Sequence, residues 1–136
     1  MHITLEADYA IRIMLALGAR KSRMDAGSIS EEATVSLRFA LKILRKLVGG
    51  GMVKSFKGVK GGYELAKDPS EITLYDILST IEGEYQISRC LSEDYRCPAG
   101  RKAYCQVRKI FEKASLQMRE QLKAVYLEEL LGKEEA

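Results

Sequence analysis

A chain of 136 residues has room for one packed core but not two independent ones. Hydrophobic residues make up 46% and charged residues 30%, ordinary for a soluble globular protein, and a net charge of +3 argues only weakly for any particular partner. Glu6 and Asp8 interrupt the apolar pattern of the first residues, which carry no basic run, so they do not read as a signal peptide; no apolar stretch approaches the roughly 20 residues needed to span a bilayer, and the cytoplasm is the expected location.

Residues 4–20 are predicted to form the first helix, capped by Thr4 and apolar from Tyr9 to Leu17 except at Arg12, so nearly complete burial is expected. Residues 21–27 read as a loop. Ser28, with Glu31 three residues on, or Ser30 is then placed to cap a short helix through Thr34. Ser36 is the predicted N-cap of the next helix, residues 37–48. Its apolar residues Leu37, Ala40, Leu41, Leu44, Leu47 and Val48 fall on one helical face, while Arg38, Lys42 and Arg45 follow a separate stripe. A short helix, a turn and a second helix with a basic outer face make a helix-turn-helix, whose second helix enters the major groove of DNA.

After the glycines at 49–51, residues 52–56 and 62–65 read as two strands joined by Lys57-Gly58-Val59-Lys60-Gly61, a hairpin in the position of a wing. Thr73 caps a predicted helix over residues 74–82. From residue 103 to about 131 the apolar residues Val107, Ile110, Phe111, Ala114, Met118, Leu122, Val125 and Tyr126 keep mostly helical spacing, which predicts one helix roughly 40 Å long. A single apolar stripe on so long a helix is best buried against a second copy, so a homodimer is expected. The fold class is therefore mainly α: a winged helix-turn-helix with a small β-hairpin wing and a long C-terminal dimerisation helix. Residues 1–83 form the expected DNA-binding part, 84–106 a cysteine-containing loop, and 107–136 the dimerisation helix and a short tail.

Charge is unevenly distributed. Residues 33–63 hold Arg38, Lys42, Arg45, Lys46, Lys54, Lys57 and Lys60 and no acid, which concentrates a positive field on the helix and wing. A solvated face is the usual fate of a charge run, but the helix-hairpin order favours double-stranded DNA. Ser36, Arg38, Phe39 and Lys42 are the candidates for base contacts, since Arg reads guanine in bidentate fashion and Phe meets a thymine methyl. Arg45 continues their stripe, and Lys57, Gly58 and Lys60 at the wing tip are candidates for backbone contacts that add affinity but little specificity.

All three cysteines, Cys90, Cys97 and Cys105, lie in one polar stretch at spacing C-x6-C-x7-C, among turn formers such as Ser92, Asp94, Pro98 and Gly100. Buried structural cysteines sit among apolar neighbours, and an odd count fits a disulfide framework poorly. Metal ligation and redox-responsive thiols both remain open on spacing alone, because no C-x2-C pair is present. An enzyme is disfavoured: the glycines at 58, 61 and 62 lack G-x4-G-K-[ST], and the only histidine is His2.

Taken together, ITLEADYAIRIML at the start, the IS-x6-SLRF run, KILRKLVGGGMV, KGVKGGYELAKDPSEITLYDIL and the three spaced cysteines resemble the bacterial iron–sulfur winged-helix repressors that include the IscR and NsrR regulators. The resemblance spans nearly the whole chain. It implies a homodimer on operator DNA that carries a 2Fe–2S or 4Fe–4S cluster on Cys90, Cys97 and Cys105. IscR-like members place a histidine three residues after the third cysteine, where this chain has Arg108. NsrR-like members use an aspartate of the first helix from the other subunit, and Asp8 stands at the matching place. Asp8 is thus the expected fourth ligand, with Glu6, water or an external thiol as alternatives and an Asp8–Arg12 helix pair as the competing role. A cluster-free regulator that senses thiol oxidation or a partner protein is the alternative function.

Overall fold

The computed structural model describes residues 2–132. Thr4 opens α1 (Leu5–Arg20), its side chain accepting the backbone N–H of Ala7, and Lys21 closes it in the left-handed conformation. The helix is buried along one side only: Ala10, Ile13, Met14 and Leu17 reach the core, whereas Ile11 and Leu15 are half-buried. The expectation of nearly complete burial is corrected accordingly.

Helix α2 (Ala26–Ala33) starts earlier than the serines predict. Asp25, in extended conformation, is the cap; it accepts the Ser28 N–H and the Ser28 hydroxyl, the latter at 2.6 Å. Ser30 instead donates its hydroxyl to the carbonyl of Val35 across the turn. Helix α3 (Leu37–Gly49) begins at Ser36, which accepts the Phe39 N–H at 3.3 Å. Its buried face is Ala40, Ile43, Leu44 and Leu47. The apolar stripe read from sequence is rotated relative to this face, for Leu37 and Leu41 are 49% and 41% exposed and Ile43 is fully buried.

Strands β1 (Val53–Phe56) and β2 (Gly62–Leu65) pair antiparallel, with Val53 opposite Leu65 and Phe56 opposite Gly62. The loop before α2 contributes a third edge, because Met24 and Tyr63 exchange backbone hydrogen bonds of 2.9 and 2.7 Å. That approach requires glycine at 62, where a Cβ would stand 2.5 Å from the Met24 carbonyl oxygen and φ is +141°. Helix α4 (Leu74–Glu82) carries the capping box of Thr73 and Asp76, and its Ile77 joins the core as the helix packs against α1 and α3.

Helix α5 (Gln106–Lys123) is the long C-terminal helix, but it ends about two turns before residue 131 and spans about 27 Å. Residues 125–127 leave the helix to pair with the segment before α4. Leu74 N–H donates to the Val125 carbonyl and Leu127 N–H to that of Ile72, each at 2.8 Å. This pairing delivers Leu127 into the core and leads into the one-turn α6 (Leu127–Leu130). The final residues of the expected tail, 133–136, lie outside the described residues. The only fully buried residue of α5 is Ser115, whose hydroxyl accepts the Ile87 N–H at 2.9 Å; Val107, Ile110 and Leu116 are exposed.

Candidate nucleic-acid interface and cysteine loop

Helix α3 turns Ser36, Arg38, Phe39, Lys42 and Arg45 outward, so the candidates read from its sequence share one exposed surface. Burial of Ile43, Leu44 and Leu47 against α1 and α2 leaves no other orientation for them. Phe39 is braced by α1: its ring centroid lies 5.8 Å from that of Tyr9. Lys42 is not free. Its ammonium is 2.6 Å from one Glu6 carboxylate oxygen, and that of Lys46 is 2.7 Å from the other. The hydrogen bonds from Lys42 and then Lys46 lower the Glu6 carboxyl from 4.5 to about 2, so it is ionised throughout the neutral range. Among the described residues neither Arg38 nor Arg45 has an ion-pair partner.

Lys57, Gly58 and Lys60 are exposed at the tip of the hairpin, around a fully exposed Val59. Gly58 has φ +93°, and its carbonyl accepts the Gly61 N–H at 2.9 Å, which closes the turn. The turn end of the hairpin is held by Arg23, a residue that sequence reasoning did not single out. Its guanidinium lies 3.4 Å from the Phe56 ring centroid and donates to the Lys60 carbonyl at 3.1 Å. Arg23 stands outside the acid-free run, so charge counting along the chain could not find it. The exposed Leu37 and Leu41 were also missed as surface residues, having been assigned to the core.

The three cysteines are free and half-buried. Cys90 lies in a single 3-10 turn (Arg89–Leu91), where the Ser88 hydroxyl donates to its sulfur at 3.1 Å. Cys97 precedes a tight turn closed by the Gly100 N–H on the Cys97 carbonyl. Backbone N–H groups of Arg101 and Ala99, aided by Gly100 and the Arg101 charge, lower the Cys97 thiol below its ordinary value against the opposing effect of burial. Cys105 is the N-cap residue of α5. Lys102, unremarked in the sequence, clamps the loop: its ammonium donates to the carbonyls of Ser92, Glu93 and Tyr95 at 2.9 to 3.0 Å. Arg108, at the position where the resemblance would place a histidine, donates to the Cys90 carbonyl at 3.4 Å and pairs with Glu112, tying the loop to α5. Asp8 pairs with Arg12 at 2.8 Å. Among the described residues no three His, Cys, Asp or Glu side chains stand close enough together to hold a metal ion.

Residues 3–133 match the family described as Rrf2, iron-dependent transcriptional regulators. The chain belongs to the Rrf2 family. The IscR regulator of Photorhabdus laumondii is 28% identical over 137 residues, covering 99% of this chain and 82% of that protein. An rrf2-like HTH-type regulator of Rhodobacter capsulatus is 34% identical over 117 residues, covering 80% of this chain and 78% of that one. Among solved structures, CymR, the global cysteine regulator of B. subtilis, is similar with a TM-score of 0.77 and 26% identity over 99% of each chain. IscR of T. potens has the same fold, with a TM-score of 0.75 at 22% identity over 99% of this chain and 89% of that one. The winged helix expected from the residues is therefore the Rrf2 winged helix, and this Rrf2 chain is a DNA-binding transcriptional regulator.

Proposed function

We propose that the chain works in the cytoplasm as a homodimer on operator DNA, as a repressor whose grip depends on an iron–sulfur cluster held by Cys90, Cys97 and Cys105. The observation that carries this reading is three free, half-buried thiols on one irregular segment between the winged helix and α5. The donor set is chemically suited to the group: soft thiolates, with backbone N–H groups directed at one sulfur and a hydroxyl at another. Such a cluster, 2Fe–2S or 4Fe–4S, supplies a redox- and ligand-sensitive centre whose gain or loss changes the charge and order of the segment around it. The chain's own residues relay that change. Ser115 holds Ile87 to α5, and Arg119 donates to the Tyr85 carbonyl at 2.8 Å, so the segment after α4 moves with the helix. Residues 107–136 form the dimerisation part of the reading, supported by the exposed Val107, Ile110 and Leu116 on α5. Asp8 of the other subunit is the proposed fourth ligand, and its recruitment would open the Asp8–Arg12 pair. A coupling of about 1–3 kcal/mol between loop and DNA surface changes operator affinity roughly 5- to 150-fold.

The test is iron and acid-labile sulfide per chain with an absorption spectrum on anaerobically purified protein. About two of each indicates 2Fe–2S and about four of each 4Fe–4S. Neither, after attempted reconstitution, overturns the cluster reading. The second reading, thiol sensing without a cluster, is favoured by one observation: the loop stabilises the thiolate of Cys97 without gathering the three sulfurs.

On the DNA side, residues 1–83 are the proposed reading part, with base contacts from Ser36, Arg38, Phe39 and Lys42, Arg45 continuing their stripe, and backbone contacts from Lys57, Gly58 and Lys60. Arg38→Ala is expected to weaken a selected operator duplex by about 1–3 kcal/mol and to relax preference at one base pair. Lys57→Ala weakens all duplexes alike and lowers the salt slope by about 1. Fluorescence anisotropy across a salt series separates the two; equal loss on every sequence for Arg38→Ala would remove it from base readout.

A further inference from the structure

The outer surface of α3 presents four cations, and they are not equivalent. Arg38 and Arg45 are exposed without ion-pair partners among the described residues, whereas Lys42 and Lys46 share the two oxygens of Glu6. Glu6 reaches them from the first turn of α1, and its side chain is only 28% exposed because the two lysines cover it. Glu82, which lines the same hollow at the start of α1, is engaged by the Thr4 N–H and the Tyr85 hydroxyl. Glu6 is thus the carboxylate committed to the recognition helix. A phosphate approaching Lys42 or Lys46 must displace a carboxylate already in place and then lie close to that negative charge. The penalty falls on binding carried by phosphate contacts, the mode open to a duplex of any sequence, and weighs less on a complex held by base contacts. Contacts from the two unpaired arginines to base edges do not incur it.

We propose that Glu6 sets specificity by competing with DNA phosphates for Lys42 and Lys46, which suppresses sequence-independent binding. The inference rests on the reading of α3 as the DNA surface. It assigns to Glu6 no contact with bases: the residue acts through the two lysines.

The experiment measures binding of full-length wild type and Glu6→Gln to a random-sequence duplex and to a duplex selected in vitro with wild type, over a salt series. Glutamine keeps the size and hydrogen-bonding reach of the side chain but removes its charge. Glu6→Gln is expected to bind the random duplex roughly tenfold tighter at low salt. Its plot of log affinity against log salt should steepen by about 1 to 2 units, at about 0.9 for each further phosphate that a lysine neutralises. The ratio of selected to random affinity falls. Both changes disappear when Lys42 and Lys46 are also replaced by alanine. Unchanged or weaker random-duplex binding with an unchanged slope overturns the inference, since a merely structural ion pair would not move the slope. Arg38→Ala and Arg45→Ala, at the two α3 cations that Glu6 does not hold, serve as controls. If they bind as wild type does, the α3 reading itself fails; if they weaken binding and Glu6→Gln does nothing, only the role of Glu6 is lost.

Discussion

Cys97→Ala is expected to abolish the iron-dependent absorption of anaerobically purified protein while leaving the dimer intact. Of the three cysteines, Cys97 is the one whose thiol the loop holds below its ordinary value, through the backbone N–H groups of Arg101, Ala99 and Gly100. Losing that sulfur removes a ligand from the proposed cluster but touches nothing on α5, whose exposed Val107, Ile110 and Leu116 are the proposed contact surface. Iron and sulfide analysis beside sedimentation of the same sample reads both parts. Full iron retention in the variant would exclude Cys97 as a ligand. Loss of the dimer together with the iron would show instead that the loop is part of the subunit contact.

Ile43→Ala is expected to destabilise the fold by about 2–5 kcal/mol, whereas Leu41→Ala on the same helix costs only about 0.5 kcal/mol. Ile43 is fully enclosed within the core cluster that includes Ile13, Met14 and Ile29, so truncation leaves a cavity that the two flanking helices cannot collapse into. Leu41 loses little because it stands outside that cluster with 41% of its surface already in solvent. Urea denaturation of the two variants decides the matter: the midpoint falls sharply for Ile43→Ala and barely for Leu41→Ala, with the slope unchanged in both. Comparable losses would return Leu41 to the core.

That pair also marks where reading the chain by period met its limit. Leu37, Ala40, Leu41, Leu44, Leu47 and Val48 make an apolar arc of the right width, and adding Ile43 while dropping Leu37 and Leu41 makes another. Periodicity cannot choose between two overlapping arcs; the positions of α1 and α2 do. The same holds for the start of α2. The serines at 28 and 30 and the aspartate at 25 all have capping side chains, and only the extended backbone at Asp25 selects it. In the candidate sites, residue type was legible and pairing was not. Arg38, Lys42, Lys57 and the cysteines announce their chemistry, but Glu6, Arg23 and Lys102 acquire their roles from neighbours far away in sequence or from backbone carbonyls, which carry no sequence signal at all.

The sequence by itself determined the elements whose causes are local. Thr4, Ser36 and Thr73 cap helices through side chains three residues from their partners, and the glycines around the hairpin permit its turn. It also set the acid-free run and the cysteine spacing. Tertiary structure alone decided where α5 stops. Neither proline nor glycine interrupts residues 123–131, and the helical period continues through them. The helix ends because the backbone of residues 125–127 pairs with Ile72 and Leu74, an exchange that seats Leu127 in the core. Burial of one leucine and two hydrogen bonds to a distant segment outweigh another turn of helix, and no local propensity records that competition.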